Sequence, residues 1–177
     1  PDTPGHLPLD TANADGTIVA PFCSLADSPL LARVFNSYDR ETTDFYRWTQ
    51  VYELSELSAL VREKSGVDVG ELTALEPLAK GASGRIFRLR VVGTKNSFIV
   101  GKELEIRRIL SPSHLRSSAF DAEFTSDGRV ILRGLGWGHG VGLCQIGAAV
   151  MADRGYGYRA ILEHYYPGTQ ISESLSK

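Results

Sequence analysis

The stretch Arg133–Tyr158, RGLGWGHGVGLCQIGAAVMADRGYGY, changes character halfway along. Gly134, Gly136, Gly138, Gly140, Gly142 and Gly147 surround one histidine, His139. Glycine inside a strand or helix costs roughly 0.5–1 kcal/mol relative to alanine. Six within fourteen residues point to unusual dihedrals, or to something lying close against the backbone. Beyond them, Leu143, Ile146 and Val150 form a helical stripe. A helix is therefore predicted over 141–154, beginning near Gly142 and ended by Gly155. The following YRAILEHYYPG predicts a last helix with Tyr158, Ile161, Leu162 and Tyr165 on one face, stopped by Pro167.

Working upstream, SSAFDAEFTSDGRVILRGLG reads as a hairpin, with strands over 119–124 and 129–132 and SDG as the turn. KELEIRRIL predicts a short helix before Pro112, and GRIFRLRVVGTKNSFIVGKE a second hairpin turning at GTKN. Ile86, Arg88, Arg90 and Val92 alternate there with Phe87, Leu89 and Val91. ELTALEPLAKGASGR reads as a connection. LSELSALVREKSG predicts a helix with Ser55 as N-cap, Leu57, Leu60 and Val61 inward, and Gly66 as left-handed stop. DFYRWTQVYEL alternates with a period of two and predicts a strand. LLARVF, from Leu30 to Phe35, fits strand or helix. Residues 1–28, rich in Pro, Asp, Thr, Gly and Ala, read as an extended arm, and 29–177 as a single domain. Hairpins mixed with short helices, without regular strand–helix alternation, predict an α+β fold: antiparallel hairpins, and a glycine-rich loop leading into a C-terminal helix pair.

The 177 residues suit one domain or one lobe of a larger protein. The net charge of -2 gives no electrostatic ground for nucleic acid or an anionic membrane as partner. No apolar run approaches the ~18 residues of a membrane span. The N-terminal residues lack a signal-peptide pattern and an initiator Met, so the chain reads as a processed or excised piece. The two cysteines, Cys23 and Cys144, read as a disulfide, as two buried thiols, or as sharers of a metal.

His139 has two readings. It touches substrate, acts as acid, base or metal ligand, or else holds a tight turn while the glycines allow close packing. A loop feeding a helix start can receive anions or polar oxygens. Phosphate is a poor fit, because Trp137 and His139 would crowd it and no Lys-Ser or Lys-Thr follows. Gln145, six residues on, presents an amide to the same region or to solvent. Zinc held by Cys23, His139 and Cys144 is a minor alternative, as H-x4-C matches no standard signature. A Cys144–histidine nucleophile pair is another. Trp137, Tyr156, Tyr158, Tyr165 and Tyr166, with Tyr46 and Trp48, suit stacking on sugar rings or ordinary cores. Trp137 and Tyr166 are the ones expected at a surface site. Glu103, Glu105, Asp121, Glu123 and Glu163 are available for glycoside cleavage. None sits in a context that singles it out, and Glu103 and Glu105 read as salt-bridged surface.

The segment GLGWGHGVGLCQIGAAVMADRGYGYRAILEHYYPGTQI resembles the C-terminal signature of the stage II sporulation protein D family, also called the amidase-enhancer family. GRIFRLRVVGT, KELEIRRILS and HLRSSAF resemble that family's upstream segments, and the likeness runs from about Ala26 to Ile171. APFCS with DFYRW looks like the form in Bacteroidetes-type members. The resemblance implies work on the bacterial cell wall, outside the cytoplasm. Some members are lytic transglycosylases acting on peptide-stripped peptidoglycan glycan strands, and others enhance a wall amidase. No bound cofactor is expected, zinc being the minor alternative. The expected substrate-binding residues are Trp137, Gly138, His139, Gly140, Gln145, Tyr165, Tyr166, Arg116 and Ser118, with His139 and Gln145 as supporting candidates for catalysis, a reading the resemblance strengthens. In those members the catalytic glutamate lies upstream of an SGG segment. This chain is expected to begin after that region, so the resemblance carries no catalytic acid onto it. It also makes Cys23 a disulfide or metal partner of a residue beyond this chain.

Overall fold

The computed structural model describes residues 11–12, 18–19, 21–25, 29–30 and 46–172. Leu31–Phe35 and most of the predicted arm lie outside them. The described residues belong to two compact units, one spanning Tyr46–Gly140 and the other combining residues of 10–45 with those from Val141 onward.

The first unit holds two antiparallel sheets of three strands each: in spatial order Arg47–Glu53, Arg129–Leu135 and Phe120–Phe124 in one, and Leu72–Lys80, Ile86–Gly93 and Ser97–Gly101 in the other. Its strands are β3 (Arg47–Glu53), β4 (Leu72–Lys80), β5 (Ile86–Gly93), β6 (Ser97–Gly101), β7 (Phe120–Phe124) and β8 (Arg129–Leu135). Helix α1 (Leu54–Ser65) and helix α2 (Glu103–Ile109) complete it. The second unit contains the two-residue strands β1 (Thr11–Ala12) and β2 (Ile18–Val19), a 3-10 turn at Phe22–Leu25, and helices α3 (Gln145–Asp153) and α4 (Tyr158–Tyr165). The fold is α+β, with two helices at the C-terminal end.

Both predicted hairpins form, with Arg90 opposite Ile99 and Ala122 opposite Leu132. In β3 Trp48 and Tyr52 are buried while Arg47, Thr49 and Val51 are exposed, and the polar Gln50, on the face of the two rings, is exposed as well. In β5 the alternation breaks. Phe87 is exposed although Leu89 and Val91, on its predicted face, are fully buried, and Ile86 is buried instead. The β4–β5 register shifts at Ala79 and Lys80 explain the break. Two residues there oppose one, and the bulge re-aims the side chains.

Several boundaries differ from expectation, among them the end of β8, which runs on to Leu135. The predicted connection at 71–85 contains β4. Pro77 argues against a central strand, but β4 pairs with β5 alone and so lies at a sheet edge, where proline is tolerated. The N-cap of α1 is Glu53, without a side-chain cap bond, and Ser55 lies inside the first turn. The stop at Gly66 is as predicted, with φ +74°. Helix α3 begins at Gln145, later than Gly142, because Gly142 itself takes φ +76°.

The core joins both sheets to α1 and α2. Leu57 and Val61 of α1, Leu89 of β5, Ile106 of α2, Phe120 of β7 and Leu132 of β8 are its fully or almost fully buried members. Ser58 stitches α1 to β4: its hydroxyl donates to the Leu54 carbonyl at 2.6 Å and accepts the Leu72 N–H at 3.0 Å. The α2 carboxylates are paired as expected, Glu103 with Arg107 and Glu105 with Arg108.

The β7–β8 turn carries a pH-dependent contact. Hydrogen bonds from Arg129 and then Thr125 hold the Asp127 carboxyl below its usual range. A lowered folded value means the contribution is complete above about pH 5 and is lost as pH falls through that value. The stability gap between the wild type and Asp127→Asn should therefore narrow between about pH 5 and pH 2. Urea midpoints at those pH values test this, and a gap independent of pH would contradict it.

Candidate functional site

Downstream of β8 the backbone alternates in hand. Gly136, Gly138 and Gly140 have φ of +72°, +82° and +72°, while Trp137 and His139 do not. Only glycine takes such positions without strain. The first two are also fixed at both of their polar groups. The Gly136 N–H donates to the Tyr46 carbonyl at 2.5 Å, and its carbonyl accepts the Trp48 indole N–H at 3.1 Å. The Gly138 N–H donates to the Arg116 carbonyl at 2.7 Å, and its carbonyl accepts the Arg85 Nε–H at 2.8 Å.

Close approach is the second reason for the glycines. A Cβ at Gly134 would run into the buried Trp48 ring, and one at Gly140 into the Arg85 guanidinium. At Gly136 the nearest Arg85 nitrogen would stand 3.0 Å from it. The loop thus wraps the arginine of the Ser83-Gly84-Arg85 run. The bare backbone first serves a side chain of the protein itself.

The residues between the glycines are displayed outward. Trp137 is 52 % exposed and His139 is exposed. The Arg116 guanidinium lies over the Trp137 ring, 5.7 Å from a ring centroid. Together they present an aromatic face backed by a cation. Ser118, another candidate, is fully buried. Its carbonyl accepts the Ile86 N–H at 3.0 Å, and its hydroxyl finds no partner among the described residues. The structure thus places it in the packing beneath the loop.

The remaining candidates belong to the second unit. Gln145 is exposed at the first position of α3. The Leu143 N–H donates to the Tyr166 hydroxyl at 3.3 Å, and Tyr166 remains 41 % exposed. Cys144 is the N-cap of α3, its sulfur accepting the Gly147 N–H at 3.4 Å. The Tyr165 hydroxyl packs onto Gly147, where a Cβ would collide with it. Burial, and then the neighbouring Cys144 and Cys23, push the Tyr165 phenol above its ordinary range. Tyr165 is therefore a half-buried packing residue, and Tyr166 is the surface one of the pair.

Among the described residues no three His, Cys, Asp or Glu side chains gather closely enough to hold a metal, and Cys23, His139 and Cys144 form no such set. No described helix is long and apolar enough to cross a membrane. Sequence reading missed Arg85 and the role of Trp48. The positive charge directly after Ser-Gly was the available signal for Arg85, but nothing in its local pattern names its partner 53 residues away.

Residues 2–142 match the family described as "Domain of unknown function (DUF8618)". The chain is similar to Stage II sporulation protein D of Bacillus amyloliquefaciens, 32% identical over 84% of this chain and 39% of that protein. It is 30% identical to Stage II sporulation protein D of Bacillus subtilis, over 82% of this chain and 39% of that protein. It is also 46% identical to the Amidase enhancer of Bacillus subtilis, over 23% of this chain and 6% of that protein. The chain thus spans about two fifths of the length of the first two relatives. With a family match over most of its length, the chain belongs to the DUF8618 family and is a distant relative of stage II sporulation protein D and the amidase enhancer.

Proposed function

We propose that the chain is a lobe of a bacterial cell-envelope protein that binds peptidoglycan glycan strands, as part of a lytic transglycosylase. The observation that carries this reading is the exposed Trp137 on a loop whose flanking glycines are hydrogen-bonded on both sides, with the Arg116 guanidinium over its ring. An aromatic face held rigidly suits the C–H face of a sugar, and pre-organisation lowers the entropic cost of binding. His139 and Arg116 add polar contacts, and Gln145 and Tyr166 are further candidates on the continuing chain. The role assigned to these residues is holding a strand. Glu103, Glu105, Asp121 and Glu123 are each ion-paired, with Arg107, Arg108, Lys80 and Arg133 respectively. The similarity to stage II sporulation protein D supports the wall as the site of action.

The test is binding to peptide-free glycan strands. Trp137→Ala should weaken it by roughly tenfold or more, and His139→Ala should also weaken it, with both variants melting like the wild type. Wild-type binding by both variants would sink the reading. Anhydro-sugar products in mass spectra of the incubated glycan, from this chain or a version extended upstream, would establish the transglycosylase part. The higher identity to the amidase enhancer, confined to 41 residues, favours a second reading: a non-catalytic module that stimulates a wall amidase. Tight capture of an amidase with no glycan cleavage by either version would select it.

A further inference from the structure

The second unit brings its two cysteines to one phenol. The 3-10 turn carrying Cys23 packs against α3, whose N-cap is Cys144. Phe22, next to Cys23, meets the His164 ring edge-on at 5.3 Å, and His164 meets Tyr165 at 4.8 Å. The Tyr165 hydroxyl in turn lies on Gly147, whose N–H reaches the Cys144 sulfur. Both cysteines are half-buried, and both act electrostatically on the Tyr165 phenol. Among the described residues no third His, Cys, Asp or Glu side chain joins the two cysteines in a metal-binding group. Two half-buried thiols carried on elements packed against each other suit a covalent bond between them.

We propose that Cys23 and Cys144 form an intrachain disulfide that ties the 3-10 turn to the start of α3. The oxidant is a small-molecule or protein disulfide. Cys144 is placed to react first, because its sulfur already accepts an N–H at the positive end of a helix. Its thiolate attacks one sulfur of the oxidant, forming a mixed disulfide and releasing one thiolate. The Cys23 thiolate then attacks the Cys144 sulfur of that mixed disulfide. The Cys23–Cys144 bond forms and the second oxidant sulfur leaves as thiolate. The two protein thiols give up two protons and two electrons, and the oxidant disulfide becomes two thiols. This bond does not depend on the glycan reading, and its test involves no glycan.

The test treats the whole chain with oxidised glutathione, blocks remaining thiols with N-ethylmaleimide, and reads intact and peptide masses. The expected result is a monomer lighter than the dithiol form by two hydrogens, without maleimide. A peptide linking Cys23 to Cys144 should appear and be lost on reduction. In Cys23→Ser the reaction should halt at a glutathione adduct on Cys144. Reduction should lower the wild-type Tm by roughly 5 °C or more and leave that of Cys23→Ser unchanged. Two maleimide-labelled cysteines after oxidation, stable glutathione adducts on the wild type, or cross-linked dimers would each overturn the proposal.

Discussion

Trp48→Ala should destabilise the protein by about 3–5 kcal/mol, read as a lower urea midpoint. Three losses coincide at this side chain. The ring is 4 % exposed, so truncation leaves a cavity among the residues of the first unit's core. Its N–H holds the Gly136 carbonyl. Its face fills the space that Gly134, its cross-strand partner, leaves open. Trp48→Phe restores much of the volume but strands that carbonyl, and should cost about 1–3 kcal/mol. Gly134→Ala pushes a methyl into the ring and should also cost about 1–3 kcal/mol. In a Trp48→Ala background the same glycine substitution should cost less, since the obstacle is gone, so the two effects should not add. Strict additivity would show that the ring and the glycine are not in contact.

On the proposed glycan-binding reading, Arg85→Ala should weaken both the fold and the binding. It removes a charge-assisted hydrogen bond to the Gly138 carbonyl, worth about 1.5–3 kcal/mol in typical cases. It also empties the space around which Gly136 and Gly140 close. The loop then samples other conformations, and Trp137 and His139 lose their fixed presentation. Binding to peptide-free strands should fall by roughly tenfold or more, beyond what any unfolded fraction explains. Arg85→Lys should recover the fold better than the binding. A lysine carries the charge without the planar fork that reaches Gly138 while facing its two neighbours. Amide exchange at Gly138 gives an independent reading and should quicken in both variants. Unchanged binding and exchange in Arg85→Ala would mean that the loop holds its shape without the arginine.

Local chemistry made most of the elements legible in the sequence. Apolar alternation in DFYRWTQVYEL, the turn residues at GTKN and SDG, and the helical stripe ending at Gly66 each identify an element from residues close together. These signals are short-range, so they need no knowledge of what the element packs against. The glycine-rich loop was legible as an anomaly: six glycines around one histidine had to mean left-handed backbone or a close neighbour, and both are present.

Tertiary structure alone decided what the neighbour is. Arg85 stands 53 residues from Gly138, and Trp48 stands 88 from Gly136. Only the pairing of β3 with β8 and the packing beneath the loop bring them together. The same limit explains β4, where Pro77 is acceptable because the strand lies at an edge, a property of the sheet and not of the segment. It explains Phe87 and Ile86, whose exposure follows a bulge set by the partner strand. Ser118, which looks like a binding residue within HLRSSAF, is buried because the chain around it is covered by its neighbours. Periodicity and turn chemistry act over a few residues, whereas burial and close approach are settled by contacts between segments far apart in the chain. For this protein the first set its α+β pattern and its glycine loop, and the second made that loop the mount for Trp137 and His139.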